Sequence, residues 1–313
     1  MRGIVARAFT PRVMSQIQDL IAAQASQIVD TIAPTGSCDF VIEVASRLPL
    51  AMICDLMGIP EDQRETVFNQ SNIILSNGDA EYIPEGSNPL EAILLAGASL
   101  AEIMRNMAVE RAENPADDLT TALLNAELDG ERLTAEEMES FFILLCVAGN
   151  ETTRNSISHG MKMLTDNPDQ RELLMSDLDA HLPNTVEEIV RMASPVRHFR
   201  RTVTTDGTVL GGTELNAGDK VVLWYGSGNR DAGVFENPHA FDITRDNSAH
   251  IGFGGPGPHF CLGAHLARRQ IAVMFKELLT RVPDIKVVGE PDYLQSNFIN
   301  GIKHMNVEFT PVA

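Results

Sequence analysis

Thr134-Ala-Glu-Glu137 stands directly before an apolar run, and the helical pattern continues to about Thr165, where Asp-Asn-Pro168 stops it. A threonine followed three residues later by glutamate is a capping box, the local signature of a helix start. The predicted helix is roughly 45 Å long at 1.5 Å per residue. An element of that length crosses a whole domain, so the remaining segments must be arranged around it. The chain has 313 residues, enough for one large domain or two ordinary ones. Apolar residues make up 44% of it, which supports a sizeable core and argues against disorder. No internal repeat or low-complexity linker divides it, so residues 1–313 are read as a single domain.

The first two thirds read mainly as helix. Residues 11–33 and 38–57 carry apolar positions three and four apart. Gly58-Ile59-Pro60 is a break, a further helix begins near Glu61, and the Gly-, Pro- and acid-rich stretch Asn77 to Asn88 reads as a loop. A helix is expected over Thr185 to Met192, ending before Pro195. From Arg201 to Tyr225 the texture changes to β-branched alternation broken by Asp206-Gly207, Gly211-Gly212 and Ala217-Gly218, a pattern of short hairpins. A glycine-rich loop at 252–257 precedes a helix from about Leu262 to Val282, and Asn300 to Phe309 reads as strand and turn. The fold class is therefore mainly α with small β-sheets placed late in the chain.

Forty-three acidic residues against 24 Lys and Arg give a formal charge of -19, a field that repels phosphate backbones and argues against nucleic-acid binding. Cys38, Cys54, Cys146 and Cys261 form neither a CxxC zinc pattern nor a disulfide framework, which fits a reduced, cytoplasmic setting. Met1 to Val13 lacks the apolar core of a signal peptide, and the longest apolar run, Phe141 to Gly149, is far short of the ~20 residues that cross a bilayer. No membrane span is expected.

Chemistry concentrates in Phe253-Gly-Gly-Pro-Gly-Pro-His-Phe-Cys261-Leu-Gly263-Ala-His-Leu-Ala-Arg-Arg269. A cysteine there sits where a glycine-rich loop meets a helix start, a place that favours anionic sulfur. Free backbone N–H groups after Cys261 can donate to the sulfur, and Gly263 lets a flat partner approach closely. A soft thiolate in such a loop is how haem iron is held when O–O cleavage is wanted. A buried structural cysteine and a zinc site using His259, Cys261 and His265 are the other readings, zinc being weakened by the lack of a second cysteine nearby.

This loop resembles the haem-binding signature of cytochromes P450, with Phe253 eight positions before Cys261 where seven is usual, a spacing shared by a bacterial subgroup. The resemblance runs from Arg2 to the C-terminus. It implies the cytochrome P450 fold, haem b (iron protoporphyrin IX) on Cys261, and monooxygenation: one oxygen atom of O2 enters a C–H bond. The other cofactor contacts it implies are Phe253 and Gly263 in the loop, with Arg201, His259 and Arg2 as propionate partners; Arg200 rivals Arg201. Ala148-Gly-Asn-Glu151-Thr152-Thr153 resembles the family's oxygen-activating turn, with Glu151 supplying a relayed proton and Thr152 a hydroxyl. A helix-interior glycine (~1 kcal/mol) and a threonine that diverts a backbone hydrogen bond together favour a local opening there. Glu188-Ile-Val-Arg191 resembles the family's buried ion pair, completed by Arg245, with a structural role only.

Position in the resemblance places Val147, Ala148, Val196, Phe199 and Ile302 in the substrate pocket, apolar residues that suit a lipophilic small molecule. Asn-Gly-Ile-Lys-His304 and the longer Cys loop resemble bacterial enzymes that oxidise terminal methyls of sterol side chains and methyl-branched lipids. The electron donor implied is a separate ferredoxin docking near Cys261, with Arg268 and Arg269 as contacts. Arg2 matches the last residue of an HxxxR motif, so the chain reads as lacking the family's N-terminal segment. That leaves a non-catalytic haem-binding fragment as the alternative to an oxygenase.

Overall fold

The computed structural model describes residues 11–128, 130–246 and 249–312. Helix α1 (Pro11–Ile32) leads to a three-residue strand, β1 (Ser37–Asp39), a π-helical turn (Val41–Ala45) and α2 (Arg47–Met57). The expected helix over 38–57 is thus corrected. Cys38 pairs with Val307, a partner that local periodicity cannot reveal. Asp39 Oδ1 then accepts the N–H groups of Val41 and Ile42, which ends the strand and starts the turn. Gly58 closes α2 at φ 71°, a left-handed cap that glycine adopts without steric cost.

Helix α3 (Glu61–Leu75) follows Pro60 with two acidic residues in its first turn, where the helix dipole favours them. The 76–88 loop ends on Asn88, whose side chain caps α4 (Pro89–Glu113) by accepting from Leu90 and Glu91. By length and composition α4 could cross a membrane. Its Ala92, Ala96, Leu100, Met104 and Met107 are nevertheless buried, and it packs on α3. Helix α5 (Leu119–Asn125) and the small hairpin β2 (Glu127–Leu128) and β3 (Glu131–Arg132) complete this part.

Helix α6 (Ala135–Asp166) is the long central element, and its capping box forms in full between Thr134 and Glu137. Asn167 and Pro168 end it and begin α7 (Pro168–Ser176), and α8 (Leu178–Ala193) follows. Helix α8 starts seven residues before its expected beginning at Thr185. Pro183 lies inside it, but Asp177 caps its start and the apolar face Leu182, Val186, Ile189 and Val190 is buried, so packing outweighs the lost hydrogen bond.

The late sheets come next. Strands β4 (His198–Thr202), β5 (Thr208–Leu210), β6 (Thr213–Leu215) and β7 (Lys220–Trp224) form nested antiparallel pairs, β4 with β7 and β5 with β6. A one-turn helix α9 (Tyr225–Gly228) leads through the glycine-rich segment to α10 (Ala264–Arg281). The chain ends in β8 (Lys286–Val287), β9 (Asp292–Tyr293), β10 (Ile302–His304) and β11 (Asn306–Glu308); β11 lies between β1 and β8, which ties the C-terminus to the early chain.

Helices α6, α8 and α10 cross at Gly160. A Cβ on that residue would stand 2.7 Å from Phe275 and 2.8 Å from Ile189, so glycine alone permits the approach. Phe142, Cys146, Ile157, Met161 and Leu164 of α6 belong to one core with Met52 of α2 and Leu278 of α10.

Candidate active site

On α6 the apolar buried face gives way to a polar one over Asn150, Glu151, Arg154, Asn155 and Ser158, all buried. Glu151 pairs with Arg154, three residues on, and Arg154 Nη1 donates to Asn72 of α3 at 2.8 Å. Burial raises the Glu151 carboxyl pKa, and Arg154 offsets part of that rise. Its Oε1 has no protein partner among the described residues. Arg154 and Asn72 were not anticipated. The signal was present, because Glu151-Thr-Thr-Arg154 has the same i,i+3 spacing as Glu188-Ile-Val-Arg191.

A different stripe of α6, Leu144, Ala148 and Thr152, is only partly covered although the helix runs through the middle of the protein. Thr152 Oγ1 donates to the Ala148 carbonyl at 2.8 Å, the diverted bond expected from its position, while the helix stays continuous from Ala135 to Asp166. Val147 beside it is half-buried.

Cys261 is exposed, three residues before α10, and its N–H donates to the Phe253 carbonyl at 2.9 Å. Gly254 and Gly257 turn the loop with φ of 88° and 127°. A Cβ at Gly255, Gly257 or Gly263 would meet nothing within 4 Å among the described residues, so this face is open to a flat group. An accessible thiol in an open glycine-lined loop and an uncovered stripe on the central helix fit a haem-sized planar ligand. His259 is exposed. Arg2 lies outside the described residues.

In β4 side chains alternate. Arg201 shares a face with Phe199, its guanidinium 5.9 Å from that ring, and donates to the Arg200 carbonyl. Arg200 lies on the opposite face with His198, so the two arginines project to opposite sides of the strand. Val196 bridges to Ile299. Phe298 makes edge contacts with both His198 and Phe199, an aromatic that the motif reading passed over. Ile302 is 1% exposed and belongs to the core, its N–H held by Asn155 at 3.0 Å.

Glu188, Arg191 and Arg245 are brought together as expected. Arg191 donates to both Glu188 oxygens at 2.7 and 2.8 Å and to the carbonyls of Asn229, Pro238 and Ala240. Arg245 approaches Glu188 at 3.4 Å. Arg268, expected as a docking contact, makes two hydrogen bonds to Glu187 and lies over the Phe253 ring. Arg269 is exposed.

The family model for cytochrome P450 matches residues 96–283. The chain belongs to the cytochrome P450 family. It is 46% identical, over 99% of its length and 72% of the relative's, to a methyl-branched lipid omega-hydroxylase of Mycobacterium tuberculosis. It is 42% identical, over 99% of its length and 70% of the relative's, to a steroid C26-monooxygenase of Mycolicibacterium smegmatis. Among solved structures, a Mycobacterium marinum cytochrome P450 in complex with pseudoionone superimposes with a TM-score of 0.93 at 44% identity, covering 99% of this chain and 74% of that one. A Bacillus megaterium P450 in complex with testosterone gives 0.88 at 34% identity, with 98% and 82% covered. This P450 is a haem monooxygenase, and its fold is that of the family.

Proposed function

We propose that this P450 hydroxylates the terminal methyl of a branched alkyl chain on a lipid or steroid, with haem b held by the Cys261 thiolate. The observation that carries the ligand reading is the exposed thiol in a loop closed by its own N–H on Phe253. The names of the relatives support the substrate class, since a methyl-branched lipid and a steroid side chain share a branched aliphatic end. Haem supplies the reductive activation of dioxygen; the chain supplies position and protons.

Glu151 is suited to hold a proton, because burial favours its neutral form and one oxygen has no protein partner among the described residues. Thr152 donates to the Ala148 carbonyl and keeps lone pairs to accept from a neighbouring donor. In this reading Glu151 supplies a relayed proton and Thr152 a hydroxyl, although the two side chains leave the helix on different stripes. Phe253, Gly263, His259, Arg2 and either Arg200 or Arg201 would hold the macrocycle, the cations and His259 by charge-assisted bonds to its carboxylates. Phe199, Phe298, Val196, Val147 and Ala148 give the substrate an apolar surface. The electron donor is a ferredoxin, and the free Cys38, Cys54 and Cys146 support a reducing, cytoplasmic setting.

In the haem-loaded protein, Cys261→Ser is expected to abolish the red-shifted Soret band of the reduced carbon-monoxide complex. An unchanged band overturns the ligand assignment. Thr152→Ala is expected to retain haem and divert reducing equivalents to peroxide; coupling equal to the parent's refutes its proton role. Methyl-branched fatty acids and sterols with an intact side chain should each be titrated for a spin shift. No shift with either class, against a shift with an unbranched ligand, rules out the substrate reading.

A further inference from the structure

Glu187 and Glu188 are adjacent on α8, and their carboxylates serve different parts of the protein. Glu188 turns to Arg191 and Arg245 in the interior. Glu187 reaches the approach to the Cys261 loop. Its Oε1 accepts from Arg268 Nε at 2.5 Å, and its Oε2 accepts from Arg268 Nη2 at 2.9 Å. His250 Nε2 lies 2.7 Å from the same Oε2. His250 Nδ1 accepts the Gly252 N–H at 3.1 Å, so the hydrogen of this ring is on Nε2 and points to Glu187.

Both partners of Glu187 bear on Phe253. The Arg268 guanidinium carbon lies 4.3 Å from the centre of the Phe253 ring, and the His250 ring 5.9 Å from it. The Phe253 carbonyl in turn accepts the Cys261 N–H. Gly252, between His250 and Phe253, leaves no room for a side chain, since a Cβ would stand 2.6 Å from Val190 of α8. The loop is thus pressed on α8 and clamped there by one carboxylate. Burial acts to raise the Glu187 pKa, but the bonds from His250 and Arg268 outweigh it and hold it down to about 2, so the group is anionic at neutral pH.

We propose that Glu187 is a positioning residue for the Cys261 loop, fixing Phe253 through His250 and Arg268 and cancelling the Arg268 charge next to the thiolate-bearing segment. The proposal rests on Cys261 being the iron ligand. It also means that Arg268 is occupied within the chain. A second ion pair joins the same two helices, Lys276 to Asp179 at 2.5 Å, but is exposed and does not touch the loop. It provides the control for a mere helix tether.

The test uses the haem-loaded protein and the variants Glu187→Gln, Arg268→Gln and Asp179→Asn, read by reduction potential and by the carbon-monoxide Soret band. Loss of the Glu187 charge leaves Arg268 unbalanced and favours the electron-rich reduced state, so Glu187→Gln is expected to move the potential positive. Arg268→Gln leaves Glu187 unbalanced and is expected to move it negative. Both should lose part of the red-shifted band, while Asp179→Asn matches the parent. Loss of haem uptake in Glu187→Gln alone, with the helical circular-dichroism signal intact, also supports the loop role. If Glu187→Gln lowers the melting temperature yet leaves potential and band at parent values, the proposal fails and Glu187 is only a tether. Cys261→Ser separates the two readings: retention of the red-shifted band there sinks the ligand assignment, whereas its loss beside a silent Glu187→Gln sinks only the role of Glu187.

Discussion

Glu151 with Arg154 and Glu188 with Arg191 are the same four-residue pattern, and all four side chains are buried. What separates them is hydrogen bonding. Arg191 spends its donors on two carboxylate oxygens and three carbonyls, whereas Glu151 Oε1 and Arg154 Nε have no protein partner among the described residues. The Glu188–Arg191 pair is thus held from all sides, whereas the Glu151–Arg154 pair keeps unused hydrogen-bonding atoms, as the proposed proton role of Glu151 requires. Arg191→Met would leave Glu188 charged and buried without its main partner, and should destabilise the protein by about 3–5 kcal/mol, measurable as a lower denaturant midpoint. Arg154 acts to lower the Glu151 pKa, so Arg154→Met should raise it further. Any pH–turnover limb governed by Glu151 then moves to higher pH; a profile superimposable on the parent's removes Glu151 from the proton path.

Among elements, the crossing of α6, α8 and α10 sets the frame in which the α6 stripe and the Cys261 loop are held. Thr152 lies about 12 Å along α6 from the contact at Gly160, at 1.5 Å per residue. Gly160→Val puts branched carbons against Phe275 and Ile189, and overpacking of this kind costs about 1–3 kcal/mol. The melting temperature should fall, and Gly149→Val gives the contrast, because its nearest neighbour, Ile53, leaves an ordinary 3.5 Å. The α6 start, the α2 stop at Gly58 and the β4 to β7 hairpins were legible because a cap, a left-handed glycine or a turn is written within a few residues. The start of α8 was not, since Pro183 is a strong local stop signal that burial of a neighbouring apolar face overrides.

For the molecule as a whole, His159 is a source of acid sensitivity. Desolvation pushes its imidazole down to about 4, against the raising effect of its bond to the Asn300 carbonyl. The folded state therefore binds this proton less readily than the unfolded chain, and stability falls as pH drops from the ordinary histidine range towards 4. His159→Gln should flatten the stability profile in that window, as measured by denaturant unfolding at stepped pH; an unchanged slope removes His159 as the cause. A further long-range tie, Lys303 with Asp79, Glu81 and Asp292, links the C-terminal strands to the 76–88 loop.

The helical body, the late sheets, the Cys261 loop and the i,i+3 ion-pair spacing could be read from residues alone, because periodicity, capping and glycine-rich turns act over one or two helical turns. Tertiary structure decided what those residues meet: Cys38 beside Val307, Arg154 on Asn72, the Ile302 N–H on Asn155, and Arg268 on Glu187. Each of these joins segments 80 or more residues apart, and only closure of the chain around α6 brings such partners within the few ångströms over which a hydrogen bond or a packed side chain has any energy.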